Sequence, residues 1–295
     1  MKKRKTYSGQ IVLHLLFLIM VVMYIVPFLL MISISVTPEK ILAMNGYSVI
    51  PRDITFDAYK LAFQNPKQIL SAYKVTAIYS SVATALSVLV MSLLAYPLAR
   101  SNFKFKGIIT FIVFFTMLFS GGMVPSYLLI TKYLHLDDTI WVYIVPHLVS
   151  AWNVIVIRTN FKSIPESLIE SAKIDGASEL YICFRIVFPL SKPTLAAVGF
   201  LILVPKWNDW FTSMLYIKDP SLYSLQYLLQ RILTEIEFLK SLAKEGMTTL
   251  NQGDMFPTES FKYAMAIIAA GPVMFIFPFF QKYFAKGLTI GAVKG

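Results

Sequence analysis

The chain has little charge and almost no cysteine or histidine: 15% of its 295 residues are Asp, Glu, Lys or Arg, with one Cys and three His. A single thiol excludes an intrachain disulfide, and Cys183 is expected to be inert. His14, His135 and His147 are scattered without metal-ligand spacing, so no metal site is expected. No G-x-x-x-x-G-K-[ST] occurs, and Gly121-Gly122 lacks the lysine, so no P-loop site for ATP is expected in this chain. Internal repeats and low-complexity tracts are missing as well.

What is present is apolar. Hydrophobic residues make up 57% of the chain and the mean hydropathy is +0.65, which defines a membrane protein. Uncharged runs cover 11–36, 75–99, 107–131, 139–157 and 263–281, each long enough for a helix to cross the hydrocarbon core. A sixth apolar segment, 193–217, is interrupted by Lys206 and Asp209. The expected fold is all-α, a polytopic membrane protein of six transmembrane helices forming one domain over 1–295. The first run follows "MKKRK" and is too long for the apolar part of a signal peptide, which favours an uncleaved anchor. Pro27, Pro97, Pro125, Pro146, Pro272 and Pro278 lie in or near spans, where proline kinks helices.

Charge sets the orientation. One set of connections, bearing both termini and the segment 158–192, carries 15 of the 27 Lys and Arg but only four acids, Glu166, Glu170, Asp175 and Glu179. The whole net charge of +11 lies there, so that side is read as cytoplasmic. The same bias, with attraction to anionic lipid, accounts for a pI near 9.5 without invoking nucleic acid. The opposite side holds two long connections, 37–74 and 218–262. "ITFDAYKLAFQNP" in the first reads as a short amphipathic interfacial helix. In the second, Leu222, Leu225, Leu228, Leu229, Ile232, Ile236 and Leu239 recur at helical spacing, and "KEGMTTLNQGDMFPTES" follows as a polar projection.

The most polar long segment is "SIPESLIESAKIDGASELYICFRIVFPLSKP", 163–193. Ser163 and Glu166 have capping-box spacing, so a helix is expected to begin there, with Leu168, Ile169 and Ala172 as its apolar face. Gly176 suits a left-handed C-cap. A second helix is expected from Ser178 to just before Pro189, with Leu180, Tyr181, Phe184 and Val187 on one side. Two readings stand on the pattern: an interfacial helix pair resting on headgroups, or a knob that docks into a groove of a cytoplasmic partner.

The spacing of Glu170, Ala172, Asp175, Gly176, Ile186 and Pro189 resembles the EAA loop of ABC importer permeases, whose pattern is E-A-A, three residues, G, nine residues, I-x-L-P. Ser171 stands for the second alanine and Phe188 for the leucine. "WNDW", Trp207 to Trp210, and the tail "KGLTIGAVKG" are similar to sequences of the smaller, second permease subunit of the maltose-type carbohydrate importers. The resemblance implies a type I importer fold and a bacterial cytoplasmic membrane location. It implies as partners a second homologous permease, two ATP-binding subunits that hold ATP and Mg, and an extracytoplasmic solute-binding protein. On that view Glu170, Ser171, Ala172, Asp175, Gly176 and Ala177 bear the contact to an ATPase subunit. The tail residues Gly291, Val293, Lys294 and Gly295 would reach toward the ATPase dimer, against the plain reading of a frayed terminus.

The interrupted fifth span is the second candidate site. Ionisable residues at such depth face a cavity or one another, and rings beside amides suit sugars. Trp207, Asn208 and Asp209 are read as lining a translocation path, the alternative being an aromatic belt with Lys206 paired to Asp209. Trp152 and Asn153 in the fourth span are weaker candidates, since an amide there also serves as helix glue. Two rivals to an importer subunit remain: a secondary transporter, disfavoured by the lack of repeats and by a single intramembrane acid, Asp209, and a membrane scaffold or sensor that uses 163–193 to hold a partner.

Overall fold

The computed structural model describes residues 4–244 and 259–290, and among these all regular structure is helical. The described residues fall into two compact bodies, 4–67 with 229–244 and 259–271, and 68–228 with 272–290.

In the first body, α1 (Arg4–Ser35) passes through Pro27 without a break and leaves apolar side chains such as Ile11, Phe17, Met23 and Phe28 uncovered, as a lipid-facing span does. The connection after it folds into α2 (Glu39–Asn45) and α3 (Asp57–Ala62), the latter where the amphipathic pattern calls for one. Ser35 and Tyr59 share a 2.9 Å hydroxyl bond, and the Thr55 amide donates to the Val36 carbonyl at 2.7 Å. The Glu39 carboxylate accepts from the Glu259 amide at 3.0 Å and from the Ser260 amide and hydroxyl at 3.1 Å. It therefore caps α14 (Glu259–Ile290), supplying both an acceptor and a negative charge to a helix N-terminus whose amides lack partners. Lys262 pairs with Glu237 at 2.9 Å on α13 (Leu225–Lys244). On α13, Leu225, Leu228, Leu229 and Ile236 of the predicted apolar series are buried, while Leu239 is exposed.

In the second body, α4 (Pro66–Ala99) is apolar all round, yet its buried stripe is recognisable by size and hydroxyls: Ala72, Thr76, Tyr79, Ser80, Ala83, Ser87, Met91 and Ala95 recur every three or four residues. Leu and Ile side chains such as Ile78, Leu89 and Leu93 point outward. Small residues let neighbouring helices approach without losing van der Waals contact.

Three expected spans are broken rather than straight. The third runs as α5 (Lys106–Leu118) and α6 (Met123–Leu128, continued by a π-helical turn to Tyr133), bent by 114° where Gly122 takes φ +86°. The fourth begins as 3₁₀ turns over Ile140–Tyr143 and Val145–His147, then bends by 55° into α7 (Ala151–Lys162), whose N-cap is Ser150.

Before the fifth span lies the polar segment. Here α8 (Glu166–Ile174) is followed by α9 (Glu179–Ile182), a π-helical turn over Cys183–Val187 and α10 (Phe188–Leu190). A 79° bend at Ser191 leads into α11 (Lys192–Trp207) and, after a further break, α12 (Phe211–Tyr216). Counting each bent pair as one span gives up to six membrane crossings among the described residues.

Candidate functional sites: a helical elbow and a polar cleft

The elbow is made by α8 and α9 around Gly176. The Gly176 amide donates to the Lys173 carbonyl at 3.0 Å and the Ala177 amide to the Ala172 carbonyl at 2.9 Å, with Gly176 at φ +79°. This is the Schellman closure, which the glycine permits because it has no Cβ to clash in the left-handed region. Ser178 then caps α9, accepting from the Tyr181 amide at 3.3 Å. Both features match the sequence pattern.

Two others do not. Ser163 forms no capping box: α8 starts after Pro165 without a side-chain cap, and the Ser163 hydroxyl donates backward to the Asn160 carbonyl at 2.7 Å, at the end of α7. Glu166, the expected partner in that box, instead accepts from the Ser101 hydroxyl at 2.7 Å. Pro165 explains the change. The ring excludes αR from Ile164 and so separates the two helices. The second helix also does not stop before Pro189. A π-type bond from the Phe188 amide to the Cys183 carbonyl widens the turn just ahead of the proline, and the helix continues to Leu190. Ile182, Cys183 and Val187 are buried, whereas Leu180, Tyr181 and Phe184 are exposed, so the π-helical turn parts Val187 from the other three residues of the predicted side.

Of the elbow residues singled out by sequence, Glu170, Ser171, Asp175 and Gly176 are exposed, and Ala172 and Ala177 are half-buried. Ile174 is 86% exposed at the tip. The underside packs on a core that includes Leu98, Ile157, Phe161, Ile169, Ile182 and Val187, with Phe188, the departure from the family pattern, in tilted ring contact with Phe161 and Phe184 at 6.1 and 5.0 Å. The tail residues Gly291, Val293, Lys294 and Gly295 lie outside the described residues, as does most of the polar projection after α13.

The cleft lies at the break between α11 and α12, where "WNDW" ends one helix and starts the next. It encloses about 520 Å³ and is lined by Asn153, His147, Lys206, Asn208, Asp209 and Trp210 among others. The break separates the four residues of the motif. Trp207 is 4% exposed and packs beside Tyr73 at 6.4 Å, away from the cleft, while Trp210 lines it. Asp209 caps α12, taking the Thr212 amide at 3.0 Å and its hydroxyl at 2.7 Å. The Asn208 side chain donates to the Val204 carbonyl at 2.9 Å and accepts from Gln226 at 3.1 Å. Asn153 is 8% exposed and its Oδ1 has no hydrogen-bond partner, while Trp152 is exposed.

Lys206 does not pair with Asp209 within 4.0 Å; its ammonium donates to the Tyr143 carbonyl at 2.7 Å. It belongs to a buried network of residues far apart in the chain. Tyr79 and Tyr143 stack at 4.3 Å, Tyr79 donates to the Lys206 carbonyl at 2.8 Å, and the Tyr143 hydroxyl donates to the Leu222 carbonyl and accepts from the Ser213 hydroxyl, both at 2.9 Å. Ser224 closes the ring onto the Asp209 carbonyl at 2.8 Å. The network satisfies the backbone groups that the helix break would otherwise strand in an apolar surrounding. Further along, Asp138, at φ +54°, accepts from the Lys218 and Asp219 amides at 2.9 and 2.8 Å and fixes the chain as it leaves α12.

Apolar spans broken around a polar cleft, with a protruding helical elbow between the fourth and fifth, define the membrane subunit of a transporter. The model of the family described as binding-protein-dependent transport system inner membrane component matches residues 88–290. The chain belongs to that family, and it is a permease subunit of an ABC importer. It is 40% identical over 271 residues to Protein LplC of Bacillus subtilis, covering 92% of this chain and 90% of that one. It is 36% identical over 271 residues to the polygalacturonan/rhamnogalacturonan transport system permease protein YtcP of the same organism, covering 92% and 93%. A crystal structure of a bacterial ABC transporter involved in import of the acidic polysaccharide alginate superposes with TM-score 0.79 at 27% identity, over 96% of this chain and 99% of that chain.

Proposed function

We propose that this permease moves an oligosaccharide or related carbohydrate into the cytoplasm by ATP-driven alternating access. The observation that carries the reading is the agreement of relatives over nearly the whole chain: YtcP and the arabinooligosaccharides permease AraQ of Bacillus subtilis, at 36% and 29% identity, are named for sugar polymers or oligomers, and the matching structure imports alginate. Family membership favours this over a secondary transporter or a scaffold.

On this reading the chain works with a second permease, two ATP-binding subunits and a solute-binding protein, and hydrolysis resides on the ATP-binding subunits. The elbow faces the cytoplasm, as do both termini, and the exposed surface of Glu170, Ser171, Asp175 and Gly176 seats in an ATPase subunit. Its rigid glycine closure supports that role, because a lever must keep its angle under load. The cleft beside Asn153, Asn208, Asp209 and Trp210 serves the translocation path. It offers amides, a carboxylate and a ring to a polyhydroxylated ligand. Reconstitution of the complete importer tests the reading: Glu170→Lys with Gly176→Pro is expected to release the ATPase subunit and abolish ATP-dependent uptake. Retained coupling in that double variant would refute the elbow's role.

A further inference from the structure

The elbow is tied to the end of α4 by one carboxylate. Glu179 Oε2 accepts from the Tyr96 hydroxyl at 2.5 Å and lies 4.0 Å from Arg100 Nε, while Oε1 meets Lys173 Nζ at 2.5 Å. Lys173 is in the last turn of α8 and Glu179 in the first turn of α9, so the ion pair spans the elbow across Gly176. Tyr96 and Arg100 belong to the last turn of α4 and the residue after it, and the Arg100 guanidinium sits 5.9 Å from the Tyr96 ring centroid. Glu179 therefore gathers both arms of the elbow and the end of the second span onto a single group.

The surroundings give this tie a specific task. Two cavities flank it, one of about 200 Å³ bordered by Phe161, Glu166 and Val187, the other of about 410 Å³ bordered by Leu93, Phe103 and Leu180; Tyr96, Arg100 and Ser101 border both. Packing at the junction is thus incomplete, and apolar contact is non-directional, so it holds surfaces together without fixing how they turn on each other. Charge-assisted hydrogen bonds are short and directional and supply the missing register. The Ser101–Glu166 bond and a bond from Arg158 Nε to the Leu98 carbonyl at 3.0 Å lie at the same end of α4 and limit sliding.

We propose that Tyr96 and Glu179 form a clamp that makes the elbow and α4 move as one body, so that displacement of the elbow is delivered to the second span and not lost in rotation at the junction. Both are positioning residues; neither belongs to the exposed surface assigned to the ATPase contact. The inference rests on the importer reading above.

The test uses the complete reconstituted importer with spin labels at Leu89 on α4 and Ser167 on α8, leaving buried Cys183 in place, and measures their distance with and without ATP alongside phosphate release. In the unsubstituted protein the distance distribution is expected to stay the same in both states. In Tyr96→Phe, which keeps the ring and removes the donor, ATP is expected to shift or broaden it, and ATP hydrolysed per sugar imported is expected to rise by roughly five-fold or more. Glu179→Ala, which removes the acceptor and also releases Lys173 and Arg100, is expected to act at least as strongly, and the double variant no more than Glu179→Ala alone, since Tyr96 then has no tie left to lose. An ATP-independent distance in Tyr96→Phe, or effects that multiply in the double variant, would overturn the clamp. Loss of ATP hydrolysis and of ATPase binding in the unsubstituted importer would instead refute the importer reading.

Discussion

Gly176 offers the sharpest test of the elbow's geometry, because its environment isolates one physical effect. The residue sits at φ +79°, and a Cβ built there meets nothing within 4 Å. Gly176→Ala therefore carries no steric clash, only the cost of holding an L-residue in the left-handed region, about 1–2 kcal/mol. Alanine also restricts the unfolded chain, which offsets about 0.4–1 kcal/mol. The net loss is about 1 kcal/mol, or roughly five-fold in the population of the bent elbow. Gly176→Pro differs in kind. It fixes φ near −65° and deletes the amide that donates to Lys173, a loss of about 3 kcal/mol or more, hence over roughly a hundred-fold. Gly176→Asn, which tolerates the left-handed region, is expected to lie between glycine and alanine. The assay is titration of ATPase subunit onto detergent-solubilised permease complex, read as the shift in apparent Kd. An alanine variant as weak as the proline variant would refute the conformational argument, and so would a proline variant that binds normally.

Three further outcomes follow from the geometry. Ser163→Ala is expected to change thermal stability by less than about 0.5 kcal/mol, whereas Ser178→Ala, which removes a formed cap, is expected to cost about 1 kcal/mol and to speed amide exchange in the first turn of α9. Tyr143→Phe strips the donor from the Leu222 carbonyl and the acceptor from the Ser213 hydroxyl, and is expected to lower stability in detergent by about 1–3 kcal/mol, measured as loss of monodisperse protein on heating. For the cleft, Asn208→Ala and Asp209→Asn are expected to reduce sugar uptake at unchanged expression. Full uptake in both would remove that surface from the translocation path.

Run length and charge bias made the membrane class and the number of apolar segments legible, because crossing hydrocarbon imposes a length on any sequence. The breaks were not legible in the same way. In the apolar run 107–131 only Gly121-Gly122 and Pro125 hint at the 114° bend, and glycine and proline are both common in membrane spans. Local hydrogen-bonding motifs were read correctly where no proline intervened, at Gly176 and Ser178. They were misread at Ser163 and Pro189, where the proline ring decided the backbone. The register after α9 failed for a related reason: a π-helical turn inserts one residue, and a 3.6-residue period counted through it placed Val187 on the side of Leu180, Tyr181 and Phe184.

The sites divide along the same line. Exposure of Glu170, Ser171 and Asp175 follows from polarity on a short helix. In "WNDW" the polarity was visible but the break at Asn208 was not, and the break turns Trp207 into the core and Trp210 toward the cleft. The two polar assemblies that matter most to the structure were invisible, since Tyr96 and Glu179 are 83 residues apart and Tyr79 and Lys206 are 127 apart. One signal was available for each: a tyrosine inside a span needs a partner for its hydroxyl, and a buried lysine needs an acceptor.

The central claim, that this chain imports carbohydrate at the expense of ATP hydrolysed by a partner, is tested most directly in proteoliposomes holding the full transporter, with binding protein outside and ATP enclosed. Oligogalacturonides and arabino-oligosaccharides serve as the probe mixture. Accumulation that requires enclosed ATP and binding protein, and that is unaffected by collapsing ion gradients, is the predicted result; uptake without ATP that stops when the gradients are dissipated would contradict it.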